Sequence, residues 1–166
     1  GDAEKTLGKY QAALSTYEQA LAIFQYREDG LEICDVLRKK GYVEALLGQG
    51  EQAYKDYQQA LTFYRENGNE RRIAKTLKRL GELKQDQKEF GEAREHYEQT
   101  LALFKKIGDY KGQGKTLEKM GKLALAQKNL TQACSYFRTA SDIYRKSGLE
   151  TSLWRLESLA GCDGEL

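Results

Sequence analysis

The sequence predicts an all-α fold, an α-solenoid of antiparallel helix pairs, and three observations predict it. Self-similarity recurs at a fixed offset of 40 residues along the chain. Within each unit the apolar residues fall at helical spacing, with one aromatic flanked by small residues along a single stripe. Proline, which usually punctuates loops and strand edges, is absent from all 166 positions.

Two kinds of helix follow from the phases of the repeat. Ala13, Ala53, Ala93 and Ala133 share one phase, and Tyr17, Tyr57, Tyr97 and Phe137 share the next. Ala20, Ala60, Thr100 and Ala140 come after them, then Phe24, Tyr64, Phe104 and Tyr144. Small residues on either side of a ring let a neighbouring helix approach while the ring fills the gap. This B helix is expected over about 9–27, 51–66, 91–106 and 131–146. Gly68, Gly108 and Gly148 follow it where a left-handed C-cap is wanted. The A helix is then expected over about 31–48, 70–88, 109–128 and 149–161. It carries Gly41, Gly81, Gly121 and Gly161 in one phase, three of them four residues after Leu37, Leu77 and Leu117. A mid-helix glycine costs about 1 kcal/mol relative to alanine, so its recurrence implies close contact where A crosses B.

The units are a partial repeat over about 1–30, repeats over 31–69, 70–108 and 109–148, and a C-terminal capping helix over 149–166. Gly1 is in phase with Gly41, so the sequence is expected to enter in the middle of an A helix, as a fragment of a longer protein would. Trp154 stands where the other units carry Cys34, Ala74 and Gly114. A bulky ring at a small-residue phase marks either a divergent cap or a partner contact.

The pattern Leu-x3-Gly followed by Ala-x3-aromatic-x2-Ala resembles the tetratricopeptide repeat. It occurs as Leu37, Gly41, Ala53, Tyr57 and Ala60, as Leu77, Gly81, Ala93, Tyr97 and Thr100, and as Leu117, Gly121, Ala133, Phe137 and Ala140. The family's usual unit is shorter and has a proline after helix B. The 40-residue form is similar to arrays in spindle-orientation adaptors and in bacterial, notably cyanobacterial, multidomain proteins. The resemblance implies a right-handed superhelix with the A helices lining a concave groove that binds an extended or helical segment of a partner.

It further implies inward positions at Asp35, Arg38, Lys39 and Tyr42, at Lys75, Lys78, Arg79 and Glu82, and at Lys115, Glu118, Lys119 and Lys122. Residues 70–88 hold seven Lys and Arg against three acids, and 109–128 hold five against two, while the whole chain is only +2. Basic charge concentrated on these helices points to an acidic or C-terminal carboxylate ligand, with Arg38, Tyr42, Lys75, Lys78, Arg79, Lys115, Lys119 and Lys122 as the expected contacts. The competing view is that such charges are a solvated helix face. The chaperone-binding subfamily's carboxylate clamp is incomplete, because its asparagines are matched by Tyr42 and Arg79.

Other functions lack their residues. Gly108 to Thr116 echoes a phosphate-binding loop, but its spacing is one residue too long and no strand precedes it. Cys34, Cys134 and Cys162 are widely spaced and His96 is the only histidine, so neither a metal site nor a catalytic set is expected. Cys34 and Cys134 read as small, partly buried helix residues, and His96 as a surface residue. No cofactor, enzyme activity, nucleic-acid binding or membrane span is expected, and the location suited to this composition is cytoplasmic. The alternative to a partner-binding module is a structural spacer that self-associates through its terminal helices.

Overall fold

The computed structural model describes residues 2–149. The expected helix beyond residue 149, with Trp154, Gly161 and Cys162, lies outside them, as does Gly1. The described residues form seven α-helices: α1 (Asp2–Tyr26), α2 (Gly30–Leu46), α3 (Gly50–Glu66), α4 (Glu70–Asp86), α5 (Phe90–Lys106), α6 (Tyr110–Ala126) and α7 (Leu130–Lys146). From α2 onward every helix has 17 residues.

Each junction is built the same way. A left-handed residue recurs at Glu28, Gly48, Gly68, Lys88, Gly108, Lys128 and Gly148. The amide one position later donates to the carbonyl five residues back, as Gln49 does to Glu44 and Asn69 to Tyr64, both at 2.9 Å. This is the Schellman closure, which satisfies carbonyls that the helix end leaves open. Asp29, Asn69, Asp109 and Asn129 then cap the next helix, each accepting from the amide three residues on. The repeat of 40 is therefore two structurally equal halves of 20. Glycine serves the left-handed position at four of the seven described helix ends, which hid the shorter period in the sequence.

α1 departs from expectation. Gly8 shares the turn phase of Gly48, yet α1 runs through it without a break, so among the described residues no separate A-helix end precedes the first B helix.

The chain divides into two compact units, Gly1–Leu83 and Lys84–Leu166. In the first, Gly30 lies against Phe63 and Gly41 against Tyr57, and Cys34 clusters with Ala60 and Tyr64, so α2 and α3 run antiparallel. Ala53, Tyr57, Ala60 and Tyr64 are fully enclosed. In the second, Gly114 lies against Tyr144 and Gly121 against Phe137, and Leu117, Met120, Leu123 and Ala124 complete the core with Ala133 and Ala140. The repeated glycine has the packing reason its recurrence implied: a Cβ on Gly121 would overlap the Phe137 ring.

A candidate partner-binding face

In the first unit, the outward stripes of α2 and α4 meet with a constant offset. Asp35 pairs with Arg72 and Tyr42 with Arg79, as parallel neighbouring helices require. Arg72 chelates the Asp35 carboxylate through Nε and Nη2, at 3.0 and 2.7 Å to Oδ2, and Tyr64 donates its hydroxyl to Oδ1 at 2.6 Å. Arg38 approaches the same carboxylate at 3.5 Å. Burial opposes the Asp35 charge, but the bonds from Arg72 and Tyr64 outweigh it and hold the pKa down at about 2. Burial raises the Tyr64 hydroxyl, and the Asp35 carboxylate it bonds raises it further.

Two turns along, the Arg79 guanidinium stacks 3.8 Å from the centre of the Tyr42 ring and bonds Glu82 at 2.7 Å. Tyr57 lies beneath. Its hydroxyl is pushed up chiefly by burial, within the fields of Arg79, Glu82, Arg38 and Tyr42. The structure thus brings together three of the expected contacts, Arg38, Tyr42 and Arg79. Tyr42 is exposed, as is Leu46 one turn further along α2, while Arg38 and Arg79 are half-buried. Lys75 is exposed on α4 and Lys78 half-buried. The Nε of Arg38 is buried without a hydrogen-bond partner.

In the second unit, Lys115, Lys119 and Lys122 lie along one stripe of α6, with Lys122 the exposed member. Glu118, expected among the groove-lining positions between them, is instead buried and accepts the Tyr144 hydroxyl at 2.5 Å. The sequence reading also missed Arg72. A comparison at offset 40 sets Arg72 beside Glu32 and Gly112, whereas its structural partner Asp35 lies 37 residues back. The lateral offset of the helices, rather than the repeat length, was the signal that could have found it.

The remaining polar groups serve packing. Cys34 is buried, and burial, then the Asp35 charge, push its thiol up to about 11, which keeps it inert. Cys134 is half-buried on α7, as expected. His96 is half-buried, not on the surface as expected. Among the described residues, no three His, Cys, Asp or Glu side chains are grouped to hold a metal ion. No described helix is long and apolar enough to cross a membrane.

A tetratricopeptide repeat signature matches residues 32–106, and a second matches residues 1–25, together more than half the chain. The chain belongs to the tetratricopeptide repeat family. Its fold is therefore that family's helical repeat solenoid. No curated protein matches the chain in sequence. Among solved structures, aspartyl phosphate phosphatase F from Bacillus subtilis is 17% identical with a TM-score of 0.80, the match covering 89% of this chain and 41% of that one. A Rap protein complexed with competence and sporulation factor is 20% identical with a TM-score of 0.77, covering 92% of this chain and 43% of that one. BtubC from P. vanneervenii is 17% identical with a TM-score of 0.70, covering 99% and 78%. At these identities the likeness is one of fold, and this tetratricopeptide chain spans less than half the length of the first two.

Proposed function

We propose that this tetratricopeptide array is a protein-interaction module that takes an acidic segment of a partner on the exposed face of its A helices. Stacked helical repeats present extended surfaces to ligands and carry out no chemistry of their own in doing so. The observation that carries the reading is the Arg79 guanidinium stacked on the exposed Tyr42 ring, with Arg38 one turn before Tyr42 on α2. Such an arrangement offers directional donors to a carboxylate and an apolar surface to the chain that bears it. Lys75 and Lys78 extend the positive field on α4, and Lys115, Lys119 and Lys122 supply a second basic stripe on α6. A solved Rap neighbour is complexed with competence and sporulation factor, which is consistent with ligand binding on a related fold.

Glu82 and Asp35 already engage these arginines, so the ligand's carboxylate must compete with them. Affinity on the order of micromolar is expected of such an exposed site. Fluorescence anisotropy with a short labelled Glu-rich peptide ending in a free carboxylate tests the reading. Arg79→Glu should weaken binding at least tenfold without changing the helical circular dichroism, and added salt should weaken it further. Binding that is absent, or equal for the Glu-rich peptide and its Gln-for-Glu counterpart, would overturn it.

A further inference from the structure

One set of repeat phases carries an ion pair in two repeats and uncharged residues in the third. The first repeat places Lys40, Glu44 and Asp56 there, with the ammonium bonded to both carboxylates. The second places Lys84 at the phase of Glu44, bonded to Glu89 at 2.6 Å and to Glu92 at 3.0 Å. In the third, Met120, Ala124 and Tyr136 stand at the phases of Lys40, Glu44 and Asp56, and Asn129 and Gln132 at those of Glu89 and Glu92.

A cation nevertheless stands beside these residues. Arg94 of α5 occupies a phase at which α1 and α3 carry Leu14 and Tyr54. It lines a shallow cleft with Met120, Ala124, Gln127, Gln132 and Tyr136. Met120 and Ala124 are buried, and Gln132 donates to the Tyr136 hydroxyl at 3.3 Å, so an apolar base meets a polar rim. Arg94 is half-buried, and among the described residues its guanidinium bonds only the Gln127 amide oxygen, at 2.9 Å. A guanidinium is a fork of donors matched to a carboxylate. The cation is therefore in place, while the acid that the other two repeats supply internally is not.

We propose that this cleft between α5, α6 and α7 is a second docking site, for a glutamate flanked by apolar residues on a partner polypeptide. The carboxylate takes the Arg94 donors in place of Gln127, and its apolar neighbours lie against the Tyr136 ring. A run of acids is disfavoured, because the exposed Glu95 and Glu98 neighbour Arg94 on α5 and repel further negative charge. The site is separate from the A-helix face, since Lys115, Lys119 and Lys122 follow a different stripe of α6 from Met120 and Ala124.

The test titrates an acetylated and amidated Ala-Leu-Glu-Leu-Ala peptide into the isotope-labelled full chain, reading the Arg94 Nε–H signal and the backbone amides around the cleft. The peptide should shift them saturably, about tenfold or more tightly than its Gln-for-Glu counterpart or a Glu-rich peptide. Gln127→Glu gives Arg94 a carboxylate of the chain's own and should weaken binding by about tenfold or more, as should Arg94→Gln, with circular dichroism unchanged. Arg79→Glu should leave it intact, so this site and the A-helix face fail or stand separately. Equal shifts from the Glu and Gln peptides, or binding that survives both cleft substitutions, overturn the proposal. Loss of binding in Arg79→Glu overturns it too, by reducing the two sites to one. Acetate that saturates the same signals as tightly would assign the cleft to a free small carboxylate and overturn it equally.

Discussion

The α2–α3 and α6–α7 hairpins have the same helix lengths, the same left-handed junction and the same glycine-on-ring contact, yet their interiors differ in kind. Between α2 and α3, Lys40, Glu44 and Asp56 are buried together, with the ammonium bonded to both carboxylates. At the same phases α6 and α7 carry Met120, Ala124 and Tyr136. Gln52 donates to the second Asp56 oxygen at 3.1 Å, but Glu44 Oε2 is buried with no partner. Burial penalises the Lys40 charge, but its bonds to Asp56 and Glu44 outweigh that and raise its pKa. Burial, with Asp56 nearby, raises Glu44. One ammonium cannot fully compensate two desolvated carboxylates, so the polar hairpin should be the weaker. The repeated phases thus specify the backbone, and the positions between them tolerate opposite solutions.

Breaking the triad should give the largest effect. Lys40→Met leaves two carboxylates buried together and should destabilise the first unit by about 3–5 kcal/mol in urea unfolding. Replacing the whole set with its counterparts, Lys40→Met, Glu44→Ala and Asp56→Tyr, should instead raise stability by about 1–4 kcal/mol. Loss of stability in the triple variant would mean that the triad is a net asset and the comparison is wrong.

The glycines give a second, smaller contrast. A Cβ at Gly41 would meet Tyr57 at 3.0 Å, a tight but adjustable contact, while at Gly121 it would overlap Phe137. The helical gain of about 1 kcal/mol from alanine should roughly offset the strain in Gly41→Ala. In Gly121→Ala a net loss of about 1–2 kcal/mol should remain, read as unequal shifts in the denaturation midpoint.

The smallest effect is one of pH. Asp35 titrates below the ordinary carboxylate range in the folded chain, so its contribution is complete above about pH 4 and disappears as pH falls through about 2. Its size should be about 1–2 kcal/mol, allowing for solvent screening of a side chain that is 14% exposed. Glu44 has the opposite sign: raised in the fold, it favours the folded state at low pH and loses that contribution as pH rises through its own pKa. Urea unfolding of the wild type and of Asp35→Asn and Glu44→Gln between about pH 2 and 7 separates the two slopes.

Much of the fold was legible because Ala, ring and glycine phases recur in contacts that are short in sequence and identical in geometry. Helices from α2 onward fall within about two residues of their expected bounds, the usual uncertainty of helix ends. The first B helix was expected from about residue 9, whereas α1 runs unbroken from Asp2 to Tyr26. The site was legible in part. Tyr42 and Arg79, placed among the groove-lining positions by the resemblance, are in contact, but the resemblance could not show which charges would turn into the core. Glu118 joins Tyr144 in the core and Asp35 is tied to Arg72 and Tyr64, pairings set by how neighbouring helices are offset.

The central claim is that the invariant phases build the array while the variable A-helix positions bind. It is tested most directly by amide chemical-shift mapping of the full chain as the Glu-rich peptide is added. The account predicts saturable shifts centred on Arg38, Tyr42 and Arg79, lost in Arg79→Glu. Shifts centred on the outward faces of α3, α5 and α7, or unchanged by that substitution, would contradict it.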